Sequence, residues 1–439
     1  MSPAAYLGLL LACLFGCLFL GFPMAFTLGI SSVIVALIYG GSAMLGYTVT
    51  QVYSGMLSLP LVALPLFIFI ACLLERSGIA EELYNALRQW LAPLPGALAI
   101  ATVLVCTIVA AISGVATAGV VTMGLIALPL MLQRGYHKDI SLAPIMAGGA
   151  LGILIPPSVV FILYGMMTRT SIGRLFAGGL VPGIILSLGY MIYIGVRCHF
   201  QPNLGPPVAP EERVSLREKI ALSRGLIAPF LLIFLILGTI FGGITAVTEA
   251  AAAGAAGAIV CVAIKRKLSW TLVREACYRT FTVSCMVMWI IFGAKMFSSV
   301  FITVGTARLI EEGLMGLAIP PIGLVLMMQF SYILLGCITE EVTMIALTIP
   351  IYAPILSALG FDPVWFGVLF LINLQMGYLT PPFGYCLFYM KGVTPPEIST
   401  VDLYHSIWPF LVIQFCVLLL VLFFPQLALW LPSEVFGLK

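Results

Sequence analysis

No lysine, arginine, aspartate or glutamate precedes Glu75, and over all 439 residues charged side chains make up only 8%. A soluble domain carries about 25% charged residues. With 62% hydrophobic residues and a mean hydropathy of +1.17, this chain cannot be a water-soluble globular protein and reads as an integral membrane protein. At ~20 residues per crossing, its length predicts ten or more crossings of the lipid bilayer. The net charge of +3 is too small to attract nucleic acid or any other charge-selected partner.

Cysteine and histidine are equally uninformative as ligands. None of the eleven cysteines forms a C-x-x-C pair, and most sit in apolar runs. They read as small buried hydrophobes, which excludes a disulfide framework or a metal site. The three histidines, His137, His199 and His405, have no ligand spacing. A membrane-embedded protease would need a Ser/His pair or a His/Glu metal set, so no enzyme is expected. The first residues, MSPAAYLGLL, lack a basic region and a small-residue cleavage site, and predict a first membrane segment instead of a cleaved leader.

What is present is a series of apolar segments. They fall near 4–20, 24–40, 60–74, 96–133, 140–167 and 173–196, and then near 225–264, 281–304, 322–357, 364–390 and 406–430. AEELYNALRQWLAPLPG places Leu83, Leu87 and Leu91 at helical spacing opposite charges, the pattern of a helix lying in the membrane interface. The longest polar stretch, 197–224, holds five Lys/Arg and several prolines and divides the chain into two halves, 1–196 and 225–439. Lys265 to Lys267 with Arg274 and Arg279 mark a second basic loop. The positive-inside rule puts both loops in the cytoplasm.

Residues 113–165 superpose on 338–390 without a gap, an offset of 225. Ile126, Pro129, Gly135, Gly152, Leu154, Pro156, Pro157 and Tyr164 meet Ile351, Pro354, Gly360, Gly377, Leu379, Pro381, Pro382 and Tyr389. Most of these are residues that fix backbone shape. SGIA (Ser77 to Ala80) similarly resembles VGTA (Val304 to Ala307). Two structural repeats are therefore expected, the second inverted if each makes an odd number of crossings. Each proline pair removes N–H donors and pushes the preceding residue out of helical geometry. In hydrocarbon the freed carbonyls need other partners. A simple proline kink would explain one such site; two in register, each with a glycine four residues before the first proline, point to a cation bound by the carbonyls and an anionic substrate at the following half-helix N-terminus.

A second pair of breaks precedes these. AISGVATAG offers Ser113, Gly114 and Thr117, and GCITEEVT places Thr339, Glu340 and Glu341 opposite Gly114, Val115 and Ala116. Small hydroxylated residues also serve as helix-packing glue. The glycine and the repeat position favour a cation or substrate site. Charges inside apolar runs cost ~3 kcal/mol at mid-bilayer and default to function. Lys295 either snorkels or attracts a substrate carboxylate, with Glu340 as a partner. Glu249 caps the following helix, with Thr248 at the N-cap. Glu341 reads as the solvent-facing neighbour of Glu340. The AAAAGAAGA run (Ala250 to Ala258) is a tight packing face.

The stretches PLFIFIACLLERSGIAEELYNAL, SGVATAG, GGALGILIPPS, SIGRLFAGGLVPG, the TEAAAAGA run, LTPPFG and FPQLALWLP occur in order between residues 65 and 432. In these the chain resembles the large membrane subunit of tripartite ATP-independent periplasmic (TRAP) transporters of the C4-dicarboxylate and sialic acid type. The resemblance implies an all-α polytopic fold of two inverted repeats with helical hairpins and broken helices, of the ion-transporter-superfamily elevator type. It implies Na⁺-coupled uptake of a small carboxylate across the bacterial inner membrane, with no cofactor beyond the coupling ion. It also implies two partners, a small four-helix membrane subunit and a periplasmic substrate-binding protein. A self-sufficient cation-coupled carrier of related fold is the alternative. Cation sites of the family map to Ser113, Gly114 and Thr117 with Gly152, Ile155 and Pro156, and to Ile338, Thr339 and Glu340 with Gly377, Thr380 and Pro381. The substrate falls to Lys295, Ser158 and Glu340. Val115 stands where a small or hydroxylated residue is expected, and Glu340-Glu341 stands where members often carry a single Asp.

Overall fold

The computed structural model describes residues 2–315, 319–336, 339–381 and 384–437. Ile338 and Pro382 lie outside the described residues. The first half contains α1 (Pro3–Phe19), α2 (Met24–Met56), α3 (Pro60–Glu75), α4 (Ile79–Trp90), α5 (Ala97–Ser113), α6 (Ala116–Gln133), α7 (Lys138–Ala150), α8 (Val159–Thr168) and α9 (Ile172–Phe200). The second contains α10 (Leu216–Phe241), α11 (Val247–Ile264), α12 (Trp270–Thr303), α13 (Thr306–Met315), α14 (Pro321–Gly336), α15 (Glu341–Ala358), α16 (Pro363–Leu379), α17 (Tyr385–Val393), α18 (Thr400–Phe423) and α19 (Gln426–Phe436). Among the described residues no strand is present.

Eight of these helices are long and apolar enough to cross a membrane, nine if the bent pair α3–α4 counts as one span. Five further apolar helices have only 10–17 residues, and four of them, α5, α8, α14 and α16, belong to broken segments. The N-terminal apolar segment is longer than its pattern indicates: α2 runs on to Met56 through a kink at Gly41, whose φ is 60°. Gly78 (φ 75°) separates α3 from α4, which turns away by 62°. The amphipathic reading of α4 holds, with Leu83 buried and Glu81 and Glu82 in the first turn, where the helix dipole favours acids.

Helices α7 and α16 form the centre. Every residue from Ile140 to Ala150 and from Val364 to Leu379 is buried. A helix buried on all faces is largely apolar all round; α16 departs from this at Asn373, whose amide donates to the Gln329 carbonyl (2.7 Å), and at Gln375. Their starts are capped alike: His137 Nδ1 accepts the Asp139 N–H at 3.3 Å, and Asp362 Oδ1 accepts the Val364 N–H at 2.7 Å. These caps are 225 residues apart, as are the first residues of α6 and α15 and the last residues of both. The halves are joined by Arg174 to Asp362 (3.2 Å), Lys138 to Asp402 (3.2 Å), and the Tyr164 hydroxyl donating to the Pro363 carbonyl (2.9 Å).

The polar stretch between the halves is irregular only over 201–215, because α9 runs to Phe200 and α10 begins at Leu216. It folds back on the first half. The N–H groups of Gly96 and His137 donate to the carbonyls of Gly205 and Leu204 (2.9 Å each), the Val208 N–H donates to Ala92 (3.1 Å), and Glu212 pairs with Arg134. Glu249 does cap α11, but the cap residue is Ala246, not Thr248: Glu249 Oε2 accepts the Ala246 N–H at 3.0 Å. The small-residue face of α11 packs on α3 and α10, and a Cβ at Gly254 would lie 2.7 Å from the Ile236 side chain.

Candidate functional site

Two helix breaks converge on one cavity. In the first, α5 ends at Ser113, Gly114 takes a left-handed conformation (φ 64°, ψ 15°), Val115 is extended, and α6 starts at Ala116. Only glycine fits at Gly114, since a Cβ would run into the Pro157 carbonyl oxygen. Behind it, α7 tightens into a 3₁₀ turn at Leu151–Ile153 and stops at Pro156-Pro157. Gly152 packs backbone against backbone: its Cβ would lie 2.9 Å from the Val115 carbonyl carbon and oxygen. The last carbonyls of α5 have no helical N–H to accept. The Ser113 hydroxyl beside them is buried, 4% exposed, and has no hydrogen-bond partner among the described residues.

The second break repeats the arrangement with different chemistry. Helix α14 ends at Gly336, Glu340 is extended (φ −78°, ψ 167°), and α15 starts at Glu341. Gly377 of α16 approaches Gly336 so closely that a Cβ would lie 2.8 Å from the Gly336 Cα. At Thr380 the chain turns extended, with its hydroxyl donating to the Met376 carbonyl (2.7 Å). Thr339 donates its hydroxyl to Leu335 (2.9 Å), and Glu340 Oε1 accepts from the Thr343 hydroxyl (3.3 Å). Glu341 does not face solvent alone as the sequence reading has it: the Tyr378 hydroxyl donates to its carboxylate.

A cavity of about 210 Å³ lies between the breaks, and Gly114, Thr117, Glu340, Glu341, Tyr378 and Tyr385 are among its lining residues. So Gly114, Thr117 and Glu340 meet at one wall. Gly152 and Gly377 hold the breaks together from behind. Ile155 and Pro156 belong to the turn that supports the first break; the Ile155 N–H donates to Leu151 (2.9 Å). Thr380 and Pro381 occupy the matching turn in the second half.

Two residues offered for substrate, Ser158 and Lys295, are not among the lining residues of this cavity, although Ser158 adjoins Gly114 of the first break. Ser158 is fully buried as the N-cap of α8, its hydroxyl donating to the Ile153 carbonyl (2.5 Å) and accepting the Phe161 N–H (3.4 Å). Lys295 lies on the seam between α12 and α2, its stem against Gly55, and forms no ion pair with Glu340. The sequence reading missed the tyrosines. Tyr389 also lines the cavity, and its match with Tyr164 in the repeat was the available signal.

The profile of the family described as "Tripartite ATP-independent periplasmic transporter, DctM component" matches residues 11–427. The chain belongs to the DctM family. It is therefore a multi-pass protein of the bacterial inner membrane and a transporter permease component, not an enzyme. Among curated DctM-family relatives, the isethionate TRAP transporter permease protein DctMQ of Oleidesulfovibrio alaskensis is 32% identical over 94% of this chain, which spans 64% of that relative's length. The C4-dicarboxylate TRAP transporter large permease protein DctM of Pseudomonas aeruginosa is 31% identical, with 85% of this chain and 86% of the relative covered. Among solved structures, the YdaH transporter of Alcanivorax borkumensis matches with a TM-score of 0.66 at 16% identity, covering 94% of this chain and 97% of that one. That likeness shows the fold of this chain alone and says nothing of what it carries.

Proposed function

We propose that this chain is the permease subunit of a Na⁺-coupled symporter that imports a small organic acid, a carboxylate or close chemical relative, across the inner membrane. A periplasmic binding protein hands over the substrate, and a small four-helix membrane subunit packs beside the chain. The two halves, 1–196 and 225–439 on either side of the 197–224 linker, act as inverted repeats. The domain carrying both breaks moves as an elevator. One observation carries this reading: two helix breaks, packed backbone to backbone through Gly114–Pro157, Gly152–Val115 and Gly377–Gly336, open onto one cavity.

The chemistry of the breaks supports a hard monovalent cation. Ser113 offers a buried hydroxyl without a partner, and the carbonyls around Gly114 and Gly152 are freed from helical bonding. Thr339, Glu340, Gly377 and Thr380 offer the equivalent set in the second half, with a carboxylate in place of the Val115 side chain. The names of relatives support an organic acid substrate. The length by which the isethionate relative exceeds this chain leaves room for a further component in that protein.

The test is uptake into proteoliposomes holding this chain and its small subunit, with binding protein outside and an inward Na⁺ gradient. Labelled succinate, isethionate and sialic acid are the probes. Uptake is expected only with both Na⁺ and binding protein, and Glu340→Gln is expected to lower it at least tenfold, the size of one lost charge-assisted contact. Uptake without binding protein would favour the self-sufficient carrier, and uptake driven by protons alone would refute sodium coupling.

A further inference from the structure

The cavity between the breaks is rimmed by acids, which is a poor place for an anion. Glu340 and Glu341 both line it, and among the described residues no lysine or arginine stands on its wall. A second cavity, also about 210 Å³, adjoins it and shares Thr117 and Tyr389. On its wall stands Arg279 of α12, the one cationic side chain lining either cavity among the described residues.

Among the described residues Arg279 has one hydrogen-bond partner. Its Nη1 donates to Glu75 Oε2 at the end of α3, at 3.0 Å. Glu75 is the enclosed member of the pair, with 18% of its side chain exposed against 54% for Arg279. A guanidinium has five N–H groups in a planar fork, and a carboxylate takes two of them side by side. One N–H is used here, so most of the fork is free. Glu75 also lies beside the first break, since it shares a smaller cavity with Ser113. The pair therefore links two packed helices, α3 and α12, which Arg76 and Glu275 also join, at the edge of the candidate site.

We propose that Arg279 is the anion-binding group of this permease and that Glu75 is its internal stand-in. The arriving substrate carboxylate takes the free fork of Arg279 and displaces Glu75; when the substrate leaves, Glu75 returns. The charge of Arg279 offsets Glu340 and Glu341 while the anion passes. Arg279 thus sets preference for acids over neutral compounds of the same shape. This inference rests on the organic-acid reading of the substrate.

Native Cys72 supplies a test that does not need transport. It lines the same cavity and sits in the fields of Arg279, Glu75 and Arg76, one net positive charge that Arg279→Gln removes. Purified full-length protein is treated with an anionic or a cationic methanethiosulfonate, and modification of Cys72 is followed by peptide mass spectrometry. In the wild type the anionic reagent is expected to gain roughly thirtyfold over the cationic one, relative to free cysteine, since one net positive charge at contact distance in water speeds the anion about fivefold and slows the cation about as much. Succinate, isethionate or sialic acid is expected to slow the reaction. Arg279→Gln should abolish both effects, Arg279→Lys should keep the charge preference, and Glu75→Gln should raise apparent affinity for the protecting acid.

Protection by none of the three acids, or protection unchanged in Arg279→Gln, overturns the inference. Uptake in proteoliposomes decides the other question. Arg279-dependent protection without uptake by the wild type keeps the anion site and refutes the symporter. Carboxylate uptake that Arg279→Gln leaves unchanged keeps the symporter and refutes the anion site.

Discussion

Replacing Gly114 by alanine tests whether the first break is held by backbone contact. Two costs follow from the structure. A left-handed conformation costs a non-glycine residue about 1–2 kcal/mol, and Gly114 has φ 64°. The added Cβ also meets the Pro157 carbonyl oxygen, and overpacking of that kind costs about 1–3 kcal/mol. Gly135 separates the two costs. It has φ 74° and nothing within 4 Å of its Cβ position, so Gly135→Ala carries the conformational cost alone. The difference between the variants is then the clash, roughly five- to 150-fold in the folded-to-unfolded ratio at about 1–3 kcal/mol. Both proteins would be heated in detergent and the monodisperse fraction followed against temperature, with uptake measured on the material that survives. Gly114→Ala is expected to melt well below Gly135→Ala and to transport poorly even when folded, because the displaced peptide is part of the site. Equal melting and equal uptake would show that the break does not depend on this contact.

Ser113→Ala removes a buried hydroxyl that has no protein partner, so stability in Na⁺-free buffer should be unchanged while the Na⁺ concentration for half-maximal uptake rises; a loss of stability without Na⁺ would mean the hydroxyl serves the fold. Asp362 both pairs with Arg174 and caps α16, so Asp362→Ala should cost about 1–2 kcal/mol through the cap, whereas Arg174→Ala, which breaks a partly exposed pair, should cost under about 1 kcal/mol; thermal unfolding of the two variants orders them. Glu249→Ala leaves the Ala246 N–H without its acceptor and should lower stability by about 1 kcal/mol, with uptake per folded molecule unchanged.

The breaks were legible in the sequence because glycine and proline act on the backbone where they stand. Gly114, Gly152, Gly377 and the proline pairs marked the helix interruptions to within a residue or two, and an in-register repeat raised them above ordinary kinks. Glu340 was legible for the same reason, as an acid at a marked interruption. Pairings across the fold were not. Tyr378 reaches Glu341 over 37 residues and Arg279 reaches Glu75 over 204, and no local pattern encodes either. Arg279 carried a sequence signal only as one of several basic residues near a loop. Lys295, conspicuous as a lone charge in an apolar run, lies instead where its stem can pack on Gly55 of α2.

The stretch between the halves has a consequence for how the protein is made. Its partners at Ala92, Gly96, Arg134 and His137 all precede it in the chain. Synthesis runs from the N-terminus, so by the time residues 204–212 leave the ribosome their partners in the first half already exist. The first half can be sealed at that end by its own tail before any helix of the second half has been inserted. The second half then assembles against a finished neighbour, and the order of translation becomes the order of assembly.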